Sequence, residues 1–155
     1  MSEYLAGKSV RKINEGIMVN RAAALPPQTA TGTIFNIVGG RVLVKAIFGL
    51  VTTQLGAVAT NTHLSHDPTV GAAGVLTLAA GTNINGLAVG VQLVATGAVG
   101  DALATSANVI NYPAASFLLK AGTIDVVTAA STGTGAISWH VIYVPIDDGA
   151  YIEAA

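Results

Sequence analysis

Charged side chains are scarce in this chain. They make up 10% of the sequence, whereas an average soluble domain has about a quarter. The scarcity is greatest between Ala46 and Pro145, a stretch whose only formal charges are Asp67, Asp101, Lys120 and Asp125. A surface with so little charge is poorly protected against self-association if it stays exposed. We therefore expect copies of this chain, or a partner, to cover much of it.

Cysteine and long uninterrupted apolar segments are absent. Without cysteine, the chain has neither a disulfide framework nor thiolate chemistry. The longest uncharged run, residues 68–100, is broken repeatedly by glycine and asparagine, which disfavours a membrane-spanning helix of about twenty apolar residues. The first residues, MSEY, show no basic segment followed by an apolar core, so we expect synthesis in a cytoplasm.

The alternation of apolar residues predicts strands. Residues 41–54 form the clearest strand. Their alternation predicts one face with Val42, Val44, Ala46, Phe48 and Leu50, and an opposite face with Arg41, Leu43, Lys45 and Ile47. Gly49 is expected to mark a bend or bulge.

A hairpin is predicted near the C-terminus. Residues 123–128 and 136–146 are its strands, and they are joined by a Gly/Thr turn. We expect Ile137, Trp139, Val141 and Tyr143 to share its buried face. Short apolar segments separated by glycine fill the region between the two units, and only residues 101–108, rich in alanine, suit a helix or equally a loop. The pattern predicts an all-β fold, with residues 28–155 as a β-sandwich or jelly-roll-like barrel.

Residues 1–27 differ in composition and predict an extended N-terminal arm. Charges alternate with isolated apolar residues, and Leu25, Pro26 and Pro27 then form a stiff joint. Such arms often become ordered only on contact, and the alternative is a passive leader. We expect the arm to bind a partner, with its bases on acidic groups and its apolar side chains in grooves. The candidate residues are Lys8, Arg11, Lys12, Ile13, Ile17 and Arg21.

Residues suited to catalysis or metal binding are few. His63 and His66, beside Asp67, have a spacing that can contribute to a divalent metal site, but a polar loop before Pro68 is the simpler interpretation. The sequence contains neither Gly-x-Ser-x-Gly nor a phosphate-binding loop. Its seven basic residues are offset by eight acidic ones, which gives no signature of nucleic-acid binding. We predict a non-enzymatic protein without metal or cofactor.

Three segments resemble small virion proteins of tailed bacteriophages. They are residues 40–53 (GRVLVKAIFGLVTT), 121–126 (AGTIDV) and 139–150 (WHVIYVPIDDGA). They are similar to head decoration, or cement, proteins, which are usually β-rich, often trimeric and bound outside the capsid shell. The resemblance implies a homo-oligomer, most often a trimer, that binds the major capsid protein and stabilises the head of the virion. A tail or fibre component and a carbohydrate-binding β module are the alternatives. The first more often carries fibrous repeats, and the second needs more exposed aromatic side chains.

Overall fold

Strands provide nearly all the regular structure in the computed structural model, which describes residues 10, 12, 14–69, 71, 74–109, 112, 113 and 115–155. Within this part of the chain there are eleven strands. They are β1 (Ile17–Ala24), β2 (Thr31–Val38), β3 (Val42–Thr53), β4 (Asn61–Pro68), β5 (Leu76–Asn83), β6 (Gln92–Val94), β7 (Ala104–Ser106), β8 (Phe117–Leu119), β9 (Gly122–Thr128), β10 (Ala136–Pro145) and β11 (Tyr151–Ala154).

The strands form two antiparallel sheets that pack face to face. The first sheet has the order β1-β10-β3-β6-β7, and β8 pairs with the other half of β3. The second sheet has the order β11-β2-β9-β4-β5. The chain crosses from one sheet to the other at most of its connections, so that residues distant in sequence meet in one core. The prediction of an all-β sandwich is confirmed.

The inner face of β10 contributes the largest side chain of the core. Ile137, Trp139, Val141 and Tyr143 are each at most 3% exposed, as their alternation predicts. Gly49 of β3 lies opposite Trp139 in register, and a Cβ at Gly49 would come within 3.0 Å of the indole Cζ3. Because Gly49 has no side chain, the indole of Trp139 can lie across β3 at this position.

The predicted C-terminal hairpin is wrong. The two strands exist close to their expected bounds, but β9 lies in the second sheet between β2 and β4, and β10 lies in the first sheet between β1 and β3. Both strands have neighbours on each side, which the local turn residues do not reveal. The connection between them is therefore a crossover from one sheet to the other.

The predicted faces of β3 hold only for its first half. Ile142 of β10 pairs with Ala46, whereas the next residue, Tyr143, pairs with Val44, so Lys45 is an extra residue in β3. Such a bulge shifts the alternation by one. Ile47 therefore faces the core, with an exposed fraction of 0%. In the second half of the strand, Phe48 and Leu50 are only half-buried.

The sheet also begins earlier than residue 28, where the sequence placed the end of the arm. Residues 17–24 form β1, which pairs with β10 over most of its length, and Ile17 and Val19 pack against the core. Residues 101–108, which suited a helix, instead contain β7 and pair with β6. The alternation of Ile17, Val19 and Arg21 is the local signal for β1, and the mixed charges around it obscured that signal.

An ion pair connects the residue before β3 with the turn that follows β10. The guanidinium of Arg41 donates to both carboxylate oxygens of Asp147, with Nη2 to Oδ1 at 2.6 Å and Nε to Oδ2 at 3.0 Å. The backbone amide of Arg41 also donates to Asp147 Oδ2. The hydrogen bonds from Arg41 lower the pKa of Asp147 to about 2. The adjacent Asp147 and Asp148 thus belong to a turn.

The first testable consequence concerns the core. Replacing the buried indole in Trp139→Ala is expected to lower the free energy of unfolding by about 3 to 5 kcal/mol, because it removes a large apolar side chain and leaves a cavity over Gly49. Urea unfolding followed by circular dichroism measures the change. Glu153→Gln, at an exposed position of β11, is the control and should change stability by no more than about 0.5 kcal/mol. A Trp139→Ala protein as stable as this control would contradict the assigned face.

Candidate assembly surface

The outward side of the first sheet carries an apolar surface, which we call the apolar face. Cross-strand pairs define it, because residues in register on antiparallel strands point to the same side. Its members are Met18, Leu43, Phe48, Leu50, Val94, Leu118, Ile142 and Val144. Met18 and Leu118 are 56% and 58% exposed. The face runs across five strands and is an unusual feature for a sheet surface in contact with water.

The bulge at Lys45 creates the middle of this face. Beyond the bulge, Phe48 points outward and lies in register with His140 on one side and with Val94 on the other. Leu50 follows two residues later on the same side. Without the extra residue, both side chains would point into the core and Ile47 would point outward. The bulge therefore determines which large side chains are offered to solvent.

A groove of about 260 Å³ lies within the apolar face. Its floor includes Ala46, Phe48 and Ile142, and Tyr112 and Pro113 form one wall. Tyr112 is 61% exposed. The part of this side chain that is buried against the groove raises the pKa of its phenol. Gln92 is the one residue with a polar side chain, apart from this tyrosine, among those that line the groove.

Charged side chains lie at one corner of the apolar face. Lys45 donates from Nζ to the backbone carbonyl of Asn14 at 2.6 Å. Glu15 and Lys45 line a neighbouring pocket together with Tyr112 and Ile142. The centre of the face, around Phe48, has no charged residue among its register partners on β6 and β10. Such a surface is suited to apolar contact and has little with which to bind an ion.

His140 lies on this face, in β10 between β1 and β3. Its ring stacks on Phe48, with centroids 4.9 Å apart and planes inclined by 16°. Nδ1 lies 2.7 Å from Asn20 Oδ1, which can only accept, so Nδ1 carries the proton. Nε2 lies 3.3 Å from Ser138 Oγ, whose hydroxyl donates to the backbone carbonyl of Leu50 at 3.4 Å. Burial lowers the pKa of His140, because the half-buried site disfavours the charged ring.

The outward side of the second sheet is polar. One row across it joins Thr33, Asp125, Ser65 and Thr77 in register. Asp125 is 4% exposed, and its Oδ2 accepts a hydrogen bond of 2.8 Å from Thr123 Oγ1. The two outward faces thus differ in chemistry, and the apolar one is the better candidate for contact with another protein.

The paired histidines lie on opposite sides of one strand and so do not face each other. They lie in β4 and not in the expected loop. His66 shares the inner side of the sheet with Ile124, while His63 shares the outer side with Val127. His66 Nδ1 is 2.8 Å from the carbonyl oxygen of Thr123 and donates to it. In the residues that the structure describes, no three histidine or acidic side chains are grouped so as to hold a metal ion.

The predicted arm residues are distributed over different environments. Lys8, Arg11 and Ile13 lie outside the described residues. Lys12 is exposed, and its carbonyl accepts a hydrogen bond from the Gly16 amide. Ile17 packs against the core, and Arg21 points into the space between the sheets. The sequence did not identify the apolar face, because an extra residue in a strand pairing has no clear local signature.

Comparison with known proteins gives no indication of function, so function is inferred from the sequence and structure of this chain. The chain matches no known family model, no curated protein and no solved structure. In the described part of the chain, no helix has the length and apolar character needed to cross a membrane.

His140 gives the apolar face a testable pH dependence. Its pKa in the folded protein lies below the ordinary value of 6.5, so the unfolded chain binds a proton more readily. Stability is therefore expected to fall as the pH decreases through about 6.5, and the decrease ends below the folded pKa. Thermal unfolding from pH 7.5 to 5 measures the loss, and His140→Gln should reduce it. An unchanged pH profile in His140→Gln would show that this ring does not contribute.

Proposed function

We propose that this protein is a non-enzymatic structural subunit of a bacteriophage particle, a decoration protein that binds the head shell as a homo-oligomer, most simply a trimer. The observation that carries the proposal is the apolar face on a chain with very few charges. Structural subunits of this kind need extended contact surfaces and a stable scaffold, and they need no catalytic group. The resemblance of residues 40–53, 121–126 and 139–150 to head decoration proteins supports the same role.

A second copy of this chain is the occupant that we propose for the apolar face. Apolar area removed from water stabilises a contact by about 25 cal/mol per Å². A specific interface usually buries about 800 Å² on each partner, which is about a tenth of the 7864 Å² surface of this chain. The apolar face spans five strands, so its extent suits such a contact. Its near neutrality favours another copy of this chain, since a strong net charge of one sign on every copy would oppose assembly. In a trimer, the apolar face of each copy packs against a different surface of the next copy.

The N-terminal arm supplies the second contact in this proposal, the one with the capsid shell. Lys8, Arg11 and Lys12 then meet acidic groups of the shell, and Ile13 docks in an apolar groove. Exposed ion pairs contribute only about 0.2 to 1 kcal/mol each, so apolar docking provides most of the affinity. Because β1 belongs to the sandwich and Lys45 donates to the Asn14 carbonyl, we assign this contact to the residues before Asn14.

The self-contact is tested by placing a charge at the centre of the apolar face. Phe48→Asp is expected to convert the oligomer into a folded monomer, because burying an unpaired carboxylate in an apolar interface costs several kcal/mol. Size exclusion with light scattering measures the mass, and circular dichroism verifies the fold. Thr77→Asp adds the same charge to the outward side of the other sheet and should leave the oligomer intact. A wild-type monomer at micromolar concentration would contradict the proposal.

Shell binding is tested by deleting residues 2–15, which leaves β1 complete. The truncated protein is expected to keep its fold and oligomeric state but to bind much more weakly to purified phage heads that lack this protein. Co-sedimentation with the heads measures binding. Restoring residues 2–15 with Lys8, Arg11 and Lys12 changed to glutamine separates the ionic contribution from the apolar one. If the truncated protein bound as well as the intact one, the arm would have no part in adhesion.

A further inference from the structure

A cavity between the two sheets contains an arginine for which the described part of the chain supplies no counter-charge. The cavity has a volume of about 300 Å³ and lies at the β1 side of the sandwich. Ile34, Val126 and Trp139 form its apolar floor, and Pro26 and Pro27 form one wall. None of the described residues that line it is acidic. This site is separate from the apolar face, which lies on the other side of the first sheet.

Arg21 points into the cavity because of its position in β1. It follows Ile17 and Val19 in the alternation of the strand, and both of these pack against the core. In register it lies opposite Trp139. Its Nε is buried and, among the residues that the structure describes, has no hydrogen-bond partner. The only ion pair in that part of the chain joins Arg41 and Asp147 and is not part of this cavity.

A buried donor without a partner lowers stability, and Nε of the half-buried Arg21 is such a donor. Arginine also keeps its charge in proteins. A bound anion removes this penalty. The planar fork of the guanidinium matches a carboxylate, to which it donates two parallel hydrogen bonds. The apolar floor favours a carboxylate carried on a small apolar group over a bare inorganic anion.

The wall of the cavity is held in place before any ligand binds. The Gln28 side chain donates to the Pro26 carbonyl, and its Oε1 accepts from the backbone amide of Gly133 at 2.9 Å. Gly32 fits closely under the wall, since a Cβ there would lie 2.6 Å from Pro27 Cγ. A site that is formed in advance loses little entropy when it is filled.

We propose that this cavity is a binding site for a carboxylate on a small apolar group, with Arg21 as the residue that recognises it. The group is either the acidic side chain of a neighbouring copy or a free small carboxylic acid. The site does not depend on the proposed role in a phage particle, because it is defined by the cavity of a single chain. It also gives Arg21 a role different from contact with the shell.

Trp139 provides a direct measurement, because it is the only tryptophan of the chain and lines the cavity. Titration with benzoate is expected to give a saturable change in tryptophan fluorescence, whereas benzyl alcohol, which lacks the charge, should bind much more weakly. Arg21→Gln should weaken benzoate binding roughly ten- to hundredfold, since a hydrogen bond to a charged group contributes about 1.5 to 3 kcal/mol. Arg41→Gln removes an arginine outside the cavity and should leave benzoate binding unchanged. If Arg21→Gln fails to fold, Arg21→Lys should fold and show a smaller loss.

The oligomeric state separates the two sources of the carboxylate. If a neighbouring copy supplies it, Arg21→Gln and saturating benzoate both reduce the oligomer in size exclusion with light scattering. If the ligand is a free acid, the oligomer stays unchanged and only the fluorescence responds. The proposal is overturned if benzoate gives no saturable signal and Arg21→Gln leaves the oligomer unchanged. It is also overturned if benzoate binds equally well to Arg21→Gln and to the wild type.

Discussion

The extra residue in β3 is the constraint on which the surface of this sandwich depends. The strand pairs with β10 over its whole length, with β8 at its start and with β6 further on, so a shift in its alternation affects three neighbours at once. Before Lys45, Val42 and Val44 face the core. After it, Ile47 faces the core and Phe48 faces outward. The bulge at Lys45 thus allows β3 to contribute apolar side chains to the core on both sides of the bulge and an aromatic side chain to the outer surface.

Neighbouring residues of β10 lie on opposite sides of the first sheet and have different surroundings. On the inner side, Trp139 occupies the space that Gly49 leaves free. On the outer side, His140 stacks on Phe48 and contacts Asn20, and burial lowers the pKa of its ring. Arg21 is the exception to this division, since a charged side chain stands on the inner side next to the tryptophan. Within the described part of the chain, the apolar face has exposed apolar side chains and the cavity has a buried donor at Arg21 without a partner.

Sequence patterns were sufficient wherever a strand alternates without interruption. The faces of β10 follow directly from Ile137, Trp139, Val141 and Tyr143, and the all-β class follows from the many short apolar segments. Long-range pairing was not predictable, because the turn between β9 and β10 looks local although the two strands belong to different sheets. The apolar face was hidden for the same reason: the bulge at Lys45 results from the pairing of β3 with β10. Arg21 was assigned to an arm because its charge outweighed the alternation around it.

The most direct measurement of the central claim is the reactivity of single thiols placed on and off the apolar face. The chain contains no cysteine, so Leu118→Cys on the face and Val75→Cys outside it each introduce one unique group. The parent side chains are 58% and 63% exposed in the single chain. If copies cover the apolar face, Leu118→Cys reacts with maleimide far more slowly than Val75→Cys in the native protein, and the two react alike in denaturant. Equal rates in the native protein would contradict the account.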